Sequence, residues 1–132
     1  MTDDQRPSSP EQNATEKTIL VVEDDENVGA FLVWALRLET PYQAVLVTDS
    51  YQALQAMHRL KPRLFLLDYN LPYMNGIELY DHLHSIKELR DIPAILISAR
   101  LPTDEAQKRG MTCIRKPIDL EELLHTIEKL IA

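Results

Sequence analysis

The feature that most constrains the fold is a series of short apolar runs separated by longer segments of helical periodicity. The runs are TILVV (18–22), QAVLV (43–47), RLFLL (63–67), IPAILIS (92–98) and MTCIR (111–115). Their residues are largely apolar instead of alternating with polar ones, which is typical of strands buried on both faces of a parallel sheet. The chain is therefore predicted to form a sheet covered by helices on each side.

The segment between the first two runs has the spacing of a helix. Its apolar positions fall on one face over residues 26–39: Val28, Phe31, Leu32, Ala35 and Leu38. Asp25 or Glu26 is predicted at the helix start, where an acid interacts favourably with the helix dipole. Trp34 is predicted to be a partly buried packing residue.

The remaining helices are predicted from the same kind of pattern. Thr48 and Asp49 are assigned to capping a helix at 51–60, and a second helix is predicted at 77–89. A short helix at 102–110 is closed by Gly110, and the last helix starts at Asp119 with Glu122 in the manner of a capping box. Five β-α units in succession predict a three-layer α/β fold.

Composition limits the domain count and the classes of partner. The 132 residues suffice for one domain, predicted at 18–132, preceded by a disordered tail at 1–17 whose apolar residues are Met1 and Ala14. A net charge of −7 argues against nucleic-acid or anionic-membrane binding through bulk electrostatics. A single cysteine and a first segment without the apolar core of a signal peptide make a cytoplasmic location the default expectation.

Polar side chains follow four of the predicted strands. Such residues meet at one rim of a parallel sheet, because the functional crevice of these folds lies at the carboxyl ends of the strands. The first strand is followed by Glu23, Asp24 and Asp25, the third by Asp68, the fourth ends on Ser98, and the fifth leads into Arg115 and Lys116. Each of these residues has an ordinary alternative as a helix cap, turn former or surface charge, and it is their convergence that predicts a site.

The predicted site has a definite chemistry. Three carboxylates close together repel one another unless a cation compensates, and a partly hydrated site of oxygen ligands suits Mg²⁺ best. Lys116 supplies a second positive charge, and a cation, a lysine and a hydroxyl are the groups that hold a phosphoryl group. Asp68 is the best candidate for a carboxylate nucleophile that forms an acyl phosphate, because its strand is predicted to be central.

At these residues the chain resembles the receiver domain of two-component response regulators over residues 18–131. The motifs that carry the resemblance are ILVVEDDENV, LFLLDYNLPYMNGIEL, AILISA and IRKPID, in the family's order. The resemblance implies a flavodoxin-like, doubly wound (βα)5 sheet of strand order 2-1-3-4-5. It also implies a loop shaped by Pro72 and Gly76 and a cis peptide between Lys116 and Pro117.

The resemblance assigns roles to the rim residues. Asp68 is the expected phospho-acceptor, and the donor is a phosphohistidine on a sensor kinase or a phosphotransfer protein. The implied ligands of Mg²⁺ (or Mn²⁺) are Asp24, Asp68 and the Asn70 backbone carbonyl, with Glu23 acting through water. Ser98 and Lys116 are expected to bind the phosphoryl oxygens. Asn70 and Arg100 are expected to tune the lifetime of the phosphoryl group.

Two departures from the family pattern concern output. Cys113 stands three positions before the lysine, where the family usually has an aromatic residue whose inward swing reports phosphorylation. The stretch from Ser98 to Lys116 is about one helical turn short, which predicts a shortened fourth helix. Both departures lie on the face that commonly carries the signal, so the resemblance predicts the phosphorylation chemistry but not output through that face.

Three alternatives remain open at this stage. No output domain follows Ala132, so the chain resembles a stand-alone receiver that acts through protein contacts or as a relay, and a homodimer is possible. The alternative is that the chain is one domain of a longer protein. A receiver-like module that signals without phosphorylation is disfavoured by the complete set of rim residues. A phosphatase with an aspartate nucleophile is disfavoured because Asn70 stands where such enzymes carry their general acid, and an amide cannot donate a proton in that way.

Overall fold

A computed structural model of the chain describes residues 17–100 and 103–131. The tail predicted at residues 1–17 lies outside the described residues, apart from Lys17. The predictions for the two residues at 101–102, where the fourth helix was expected to begin, and for the last residue also lie outside them.

The described chain forms one parallel sheet with the predicted strand order. Its strands are β1 (Thr18–Val22), β2 (Gln43–Val47), β3 (Leu64–Asp68), β4 (Ala94–Ser98) and β5 (Thr112–Arg115). The order β2-β1-β3-β4-β5 makes β3 the central strand and confirms the doubly wound α/β architecture. β1 and β2 have the predicted bounds, whereas β3, β4 and β5 begin one or two residues later than predicted. In β4 the late start follows from Pro93, which has no N–H group to donate to the ladder.

Helices connect the strands and form the two outer layers. They are α1 (Glu26–Glu39), α2 (Ser50–Ala56), α3 (Gly76–His84), α4 (Thr103–Lys108) and α5 (Leu120–Ile131). Asp25 and Asp49 cap α1 and α2 as predicted, each accepting backbone N–H hydrogen bonds from the first turn. The Asp119 carboxylate accepts the Glu122 N–H bond at 3.3 Å, which places Asp119 at the predicted start of α5. α4 is short, as the resemblance implied.

Two helices end earlier than their apolar pattern predicts. α2 was expected to reach residue 60 but ends at Ala56. After Ala56, hydrogen bonds between residues three positions apart form tight turns that replace the helix. α3 was expected to reach residue 89 but ends at His84, because the Ser85 hydroxyl donates to the His82 carbonyl at 2.6 Å and closes the last turn. A separate 3₁₀ turn, Lys87–Leu89, supplies the apolar positions that had suggested a longer helix.

The sheet separates two apolar cores, because alternate residues of each strand face opposite sides. On one side, residues of the sheet such as Ile19, Leu66 and Ile97 pack with α1 and α5. On the other side, Leu20, Phe65 and their neighbours pack with α2, α3 and α4. The two layers bury β1, β3 and β4 throughout their lengths, and the polar residues of the predicted site lie at the carboxyl ends of the strands.

The prediction for Trp34 was wrong. The buried stripe of α1 consists of Gly29, Leu32, Ala35 and Leu36, and Trp34 lies on the opposite side of the helix with 61% of its surface exposed. The sequence pattern was misleading because Phe31 and Leu38 were counted with the buried face, although they flank Trp34 and are 46% and 63% exposed.

Candidate phosphoryl-accepting site

The central residue of the site is the last residue of β3. Asp68 is 4% exposed and lies opposite Ile97 in the ladder with β4. Glu23, directly after β1, extends the pairing with β2 through an N–H bond to the Val47 carbonyl at 3.1 Å. That pairing holds Glu23 within the rim, and its surface is 2% exposed. Two adjacent strands therefore bring two nearly buried carboxylates to one place.

Lys116 bridges these two carboxylates. Its ammonium nitrogen lies 3.2 Å from Asp68 Oδ1 and 3.4 Å from Glu23 Oε1. The backbone of the lysine is held at the end of β4, since its N–H donates to the Ser98 carbonyl at 3.0 Å. Its peptide bond to Pro117 is cis, as the resemblance implied. The predicted convergence of residues from β1, β3 and β5 is thus present as a direct ionic contact.

Burial and charge act in opposite directions at this contact. Burial raises the pKa of Glu23 to about 7, and the neighbouring Asp68 carboxylate adds to that rise. The Asp25 N–H bond to Glu23 Oε2, at 3.1 Å, and the Lys116 ammonium act against it. For Lys116, burial lowers the pKa, but the Asp68 and Glu23 carboxylates more than offset that effect and the pKa is raised overall. The ammonium form of Lys116 is therefore stabilised where it stands.

The carboxylates also meet the requirements of a hard cation. Carboxylate oxygens of Glu23, Asp24 and Asp68 lie within 4.8 Å of one another, and Asp24 is exposed while the other two are buried. Asp68 Oδ1 is buried and accepts no well-aligned hydrogen bond from the residues that the structure describes, its near contact being the Lys116 ammonium. One lysine does not neutralise three acids, so the site keeps negative charge and carboxylate oxygens with unused lone pairs. Such a set of oxygen ligands suits a divalent metal ion.

Ser98 lies at the same rim, but its hydroxyl has a local partner. Ser98 ends β4 and is 2% exposed, and its hydroxyl donates to the Arg100 carbonyl at 2.9 Å and accepts the Arg100 N–H at 3.2 Å. The Arg100 and Asn70 side chains are exposed in the loops after β4 and β3. Asn70 follows Asp68 by two positions, and Ser98 and Arg100 lie at and just after the carboxyl end of the neighbouring strand β4. The contacts of the carboxylates described above do not include the side chains of these three residues.

Cys113 lies on β5 and is half-buried. It pairs with Leu96 in the ladder and packs against the core that contains α3 and α4. Burial raises the pKa of the Cys113 thiol, which keeps it uncharged at neutral pH. The residue thus contributes to packing on the face where the family usually has an aromatic side chain.

The loop between β3 and α3 is fixed by contacts that the sequence did not reveal. The fully buried Ser50 hydroxyl donates to the Met74 carbonyl at 2.8 Å, and the rings of Tyr51 and Tyr73 lie 4.8 Å apart. Tyr73 has a φ of 75°, the left-handed region that a side chain adopts at a cost. Ser50 belongs to a segment that was assigned to capping, and nothing local to either tyrosine signals a pairing 22 residues apart.

Gly76 had a visible signal, and its role is steric. A Cβ atom at Gly76 would lie 2.5 Å from the Asp68 carbonyl oxygen. The start of α3 therefore approaches the end of β3 as closely as a glycine allows. This close approach connects the helix that follows the site directly to the backbone of Asp68.

The order of the strands and the group of acids and lysine at their carboxyl ends define a class of signalling module, the receiver domain. The family model of the response regulator receiver domain matches residues 19–128, and the chain belongs to that family. This is a module of two-component signalling. Receiver domains of this class are signalling modules instead of enzymes acting on external substrates.

Individual relatives agree with the assignment. The chain is 31% identical over 116 residues to the polar-differentiation response regulator DivK of Brucella anthropi, covering 85% of this chain and 94% of the relative. The receiver domain of a sensor histidine kinase from Pseudomonas aeruginosa PAO1, solved with a magnesium ion coordinated in its active-site cleft, is similar at a TM-score of 0.78 and 26% identity. That match covers 89% of this chain and 98% of the other.

A further solved structure supports the fold alone. The chemotaxis protein CheY4 of Vibrio cholerae matches with a TM-score of 0.80 at 21% identity, over 88% of this chain and 99% of the other. Within the described part of this chain, no helix has the length and apolar character needed to cross a membrane.

Proposed function

We propose that the chain accepts a phosphoryl group on Asp68 from a phosphohistidine of a sensor kinase or a phosphotransfer protein, and that it signals or relays through protein contacts. The observation that carries the proposal is the buried Asp68 carboxylate at the end of the central strand, 3.2 Å from the Lys116 ammonium. A carboxylate held beside a fixed positive charge is placed to attack a phosphorus atom whose charge that cation then balances.

The transfer exchanges one bond to phosphorus for another. The P–N bond of the phosphohistidine breaks with its electron pair returning to the imidazole, and a P–O bond forms to an Asp68 carboxylate oxygen. The product is an acyl phosphate. Its loss is the attack of water on phosphorus, which releases inorganic phosphate and restores the Asp68 carboxylate. Self-phosphorylation from a small donor and this hydrolysis are the whole of the chemistry that we propose.

The proposal includes Mg²⁺ as the cofactor, with Mn²⁺ as a substitute. Asp24, Asp68 and the Asn70 backbone carbonyl would hold it, with Glu23 acting through water, and the clustered carboxylate oxygens support this set. When bound, the ion balances charge on the transferring phosphoryl oxygens. The acids of this chain otherwise repel an incoming phosphoryl group, so transfer is expected to depend on the metal.

Five residues at the rim and on β5 have further roles in the proposal. Lys116 would bind a phosphoryl oxygen together with Ser98, whose hydroxyl must leave the Arg100 backbone to do so. Asn70 and Arg100, exposed in the loops of the rim, would set the lifetime of the acyl phosphate through access of water. Cys113 would leave β5 without the aromatic switch, so that output depends on other surfaces of the protein.

The setting of the reaction is proposed as well. We propose a cytoplasmic location, because a phosphohistidine donor of this kind is expected there. A net charge of −7 supports protein partners over nucleic acid or membrane. A homodimer of the chain is part of the proposal.

The experiment is incubation of the protein with acetyl phosphate and Mg²⁺, followed by intact mass measurement. We expect one phosphate adduct that is labile to base, absent without Mg²⁺ and absent in Asp68→Asn. Asp49→Asn, which changes the partly buried N-cap of α2, serves as a control and should retain the adduct. An adduct that persists in Asp68→Asn would contradict the proposal.

The signalling part has its own test. Oligomeric state and binding to a candidate histidine protein are compared with and without beryllofluoride, a mimic of the acyl phosphate. A difference supports a phosphorylation-dependent signal. Equal behaviour in a protein that does form the adduct would favour the alternative, an interaction module whose output does not depend on phosphorylation.

A further inference from the structure

The loop between β3 and α3 carries the Asn70 carbonyl, which the proposed function assigns to the metal. The two ends of the loop are joined, because the Tyr69 carbonyl accepts the Leu71 N–H at 3.1 Å and the Gly76 N–H at 2.9 Å. The bond to Leu71 closes a three-residue turn with Asn70 at its centre. The position of the Asn70 carbonyl therefore depends on how this loop is held.

A second three-residue turn in the same loop is strained. The Met74 N–H donates to the Pro72 carbonyl at 2.9 Å, and Tyr73 between them has a φ of 75°. A turn of this kind is rare with a positive φ, and the Cβ atom of a tyrosine adds to its cost. Among the residues that the structure describes, Tyr73 is the one residue other than glycine with a positive φ. Such a conformation persists only where its surroundings enforce it.

The first turn of α2 holds both residues of the strained turn. The fully buried Ser50 hydroxyl donates to the Met74 carbonyl at 2.8 Å. The centroids of the Tyr51 and Tyr73 rings lie 4.8 Å apart with 38° between their planes, which is within the range of favourable aromatic pairs. One residue of the turn is thus held by a hydrogen bond to its backbone, and the other by packing of its ring.

α2 is a firm support for these contacts. The Asp49 carboxylate caps the helix by accepting the Gln52 N–H at 2.8 Å, and the Gln52 side chain accepts the Thr48 N–H at 3.1 Å. Ala53 and Ala56 are buried in the core that α2 shares with α3. The start of α2 is therefore fixed on the molecule independently of the loop that it contacts.

We propose that Tyr51 is a positioning residue of the metal site. Its ring keeps Tyr73 in the strained turn, and this fixes the loop so that the Asn70 carbonyl is in place before Mg²⁺ arrives. A preorganised site loses less conformational freedom on binding and so binds more tightly. The inference rests on the proposed function, because that function assigns the Asn70 carbonyl to the metal. Tyr51 acts through Tyr73 and not by contact with the ion.

The test is a titration of the isotope-labelled full chain with Mg²⁺, followed by the amide NMR signals of the loop, which gives the Kd for the metal directly. Tyr51→Ala should raise the Kd roughly 3- to 10-fold, as expected for loss of one aromatic pair. Tyr51→Phe keeps the ring and should match the wild type. Trp34→Ala is the matched control, since Trp34 on α1 is 61% exposed and Tyr51 is 57% exposed.

A glycine at the strained position separates positioning from general stability. Tyr73→Gly adopts a positive φ without steric cost, so its Kd should stay within about two-fold of the wild type although the ring pair is lost. Adding Tyr51→Ala to Tyr73→Gly should then change nothing further, because no ring remains for Tyr51 to hold. A merely structural role of Tyr51 would weaken both backgrounds equally. Urea denaturation establishes that each variant is folded.

The outcomes that overturn the inference are distinct from those that overturn the proposed function. An unchanged Kd in Tyr51→Ala, an equal rise in Trp34→Ala, or an equal effect of Tyr51→Ala in both backgrounds would each contradict the positioning role. A wild type that binds Mg²⁺ but forms no adduct with acetyl phosphate would contradict the proposed phosphorylation and leave the comparison of Kd values valid. A wild type that binds no Mg²⁺ would overturn both.

Discussion

At the scale of single residues, the site depends on one ammonium group that balances two buried carboxylates. Lys116 contacts both Asp68 and Glu23, whose side chains are almost withdrawn from water. An acid left in such a place without a partner is unstable, and removal of one member of a buried ion pair is strongly destabilising. The charge that prepares Asp68 for reaction therefore also contributes to holding the rim of the sheet together.

Replacement of Lys116 by methionine tests this dual role. In the absence of Mg²⁺, Lys116→Met should lower the free energy of unfolding by about 2 kcal/mol, because two buried carboxylates lose their counter-charge. Mg²⁺ should stabilise the variant more than the wild type, since it restores positive charge at the same place. Chemical denaturation with and without Mg²⁺ measures both effects, and Lys61→Met at an exposed loop position is the control. Equal stabilisation by Mg²⁺ in variant and wild type would contradict the account.

Alanine substitutions at two glycines test the close approach of Gly76 to the Asp68 backbone. Gly76→Ala should destabilise the protein by about 1–3 kcal/mol and slow phosphorylation, because its Cβ would meet the Asp68 backbone oxygen at 2.5 Å. Gly29→Ala meets only the flexible Leu46 side chain, at 2.7 Å, and gains helix propensity, so it should be near neutral. Denaturation midpoints and the rate of adduct formation provide the comparison. Equal effects of the two substitutions would argue against a steric role for Gly76.

At the scale of elements, the short α4 is tied to α3 by one arginine. The Arg109 guanidinium contacts both oxygens of Asp81, at 2.7 and 2.8 Å, and Glu105 at 3.0 Å. The Tyr80 hydroxyl also donates to the Arg109 carbonyl at 3.3 Å. The residue follows α4 directly, so it anchors the end of this helix on the face where Cys113 replaces the usual aromatic residue.

The pH dependence of stability tests this anchor. Hydrogen bonds from Arg109 lower the pKa of Asp81 in the folded protein. The resulting stability is present above the ordinary aspartate pKa of about 3.8 and is lost as the pH falls through the lower folded value. Because Asp81 is exposed, Asp81→Asn should cost about 0.5–1 kcal/mol at neutral pH. The difference from wild type should shrink as the pH falls below about 3.8.

The measurement is urea denaturation of wild type and Asp81→Asn between neutral pH and pH 3, with Asp91→Asn as the control for loss of an exposed acid. Asp91→Asn should match the wild type throughout. If the free energy of unfolding of Asp81→Asn stays below that of the wild type by the same amount down to the lowest pH, the Arg109–Asp81 ion pair does not stabilise the protein in the way described.

The elements also show what local sequence can predict. The bounds of β1, β2 and α1 follow from apolar pattern and capping acids, and they agree with the structure. The ends of α2 and α3 were predicted too late in the sequence. Apolar residues continue after Ala56 and His84, where tight turns and the Ser85 hydroxyl bond end the helices. Trp34 is misplaced for a related reason, since a pattern gives the period of a helix but not the side that meets the sheet.

At the scale of the whole molecule, the parallel sheet determines which residues meet. Strand order alone brings Glu23, Asp68 and Lys116 together across 93 positions of sequence, and that convergence was predictable from the chain. The burial of Glu23 beside an exposed Asp24 was not, because it depends on the continued pairing of β1 with β2. The contacts of Ser50 and Tyr51 with the loop after Asp68 were likewise not predictable, because they join segments that share no local sequence pattern.

The position of the modified residue is the most direct test of the central claim. The protein is phosphorylated with acetyl phosphate and Mg²⁺, treated with borohydride and digested, and the peptides are analysed by tandem mass spectrometry. Borohydride reduces an acyl phosphate to the alcohol, so an aspartyl phosphate becomes homoserine. The account predicts homoserine at position 68 and an unchanged side chain at Asp24 and Glu23. Reduction at either of those acids with Asp68 intact would contradict it.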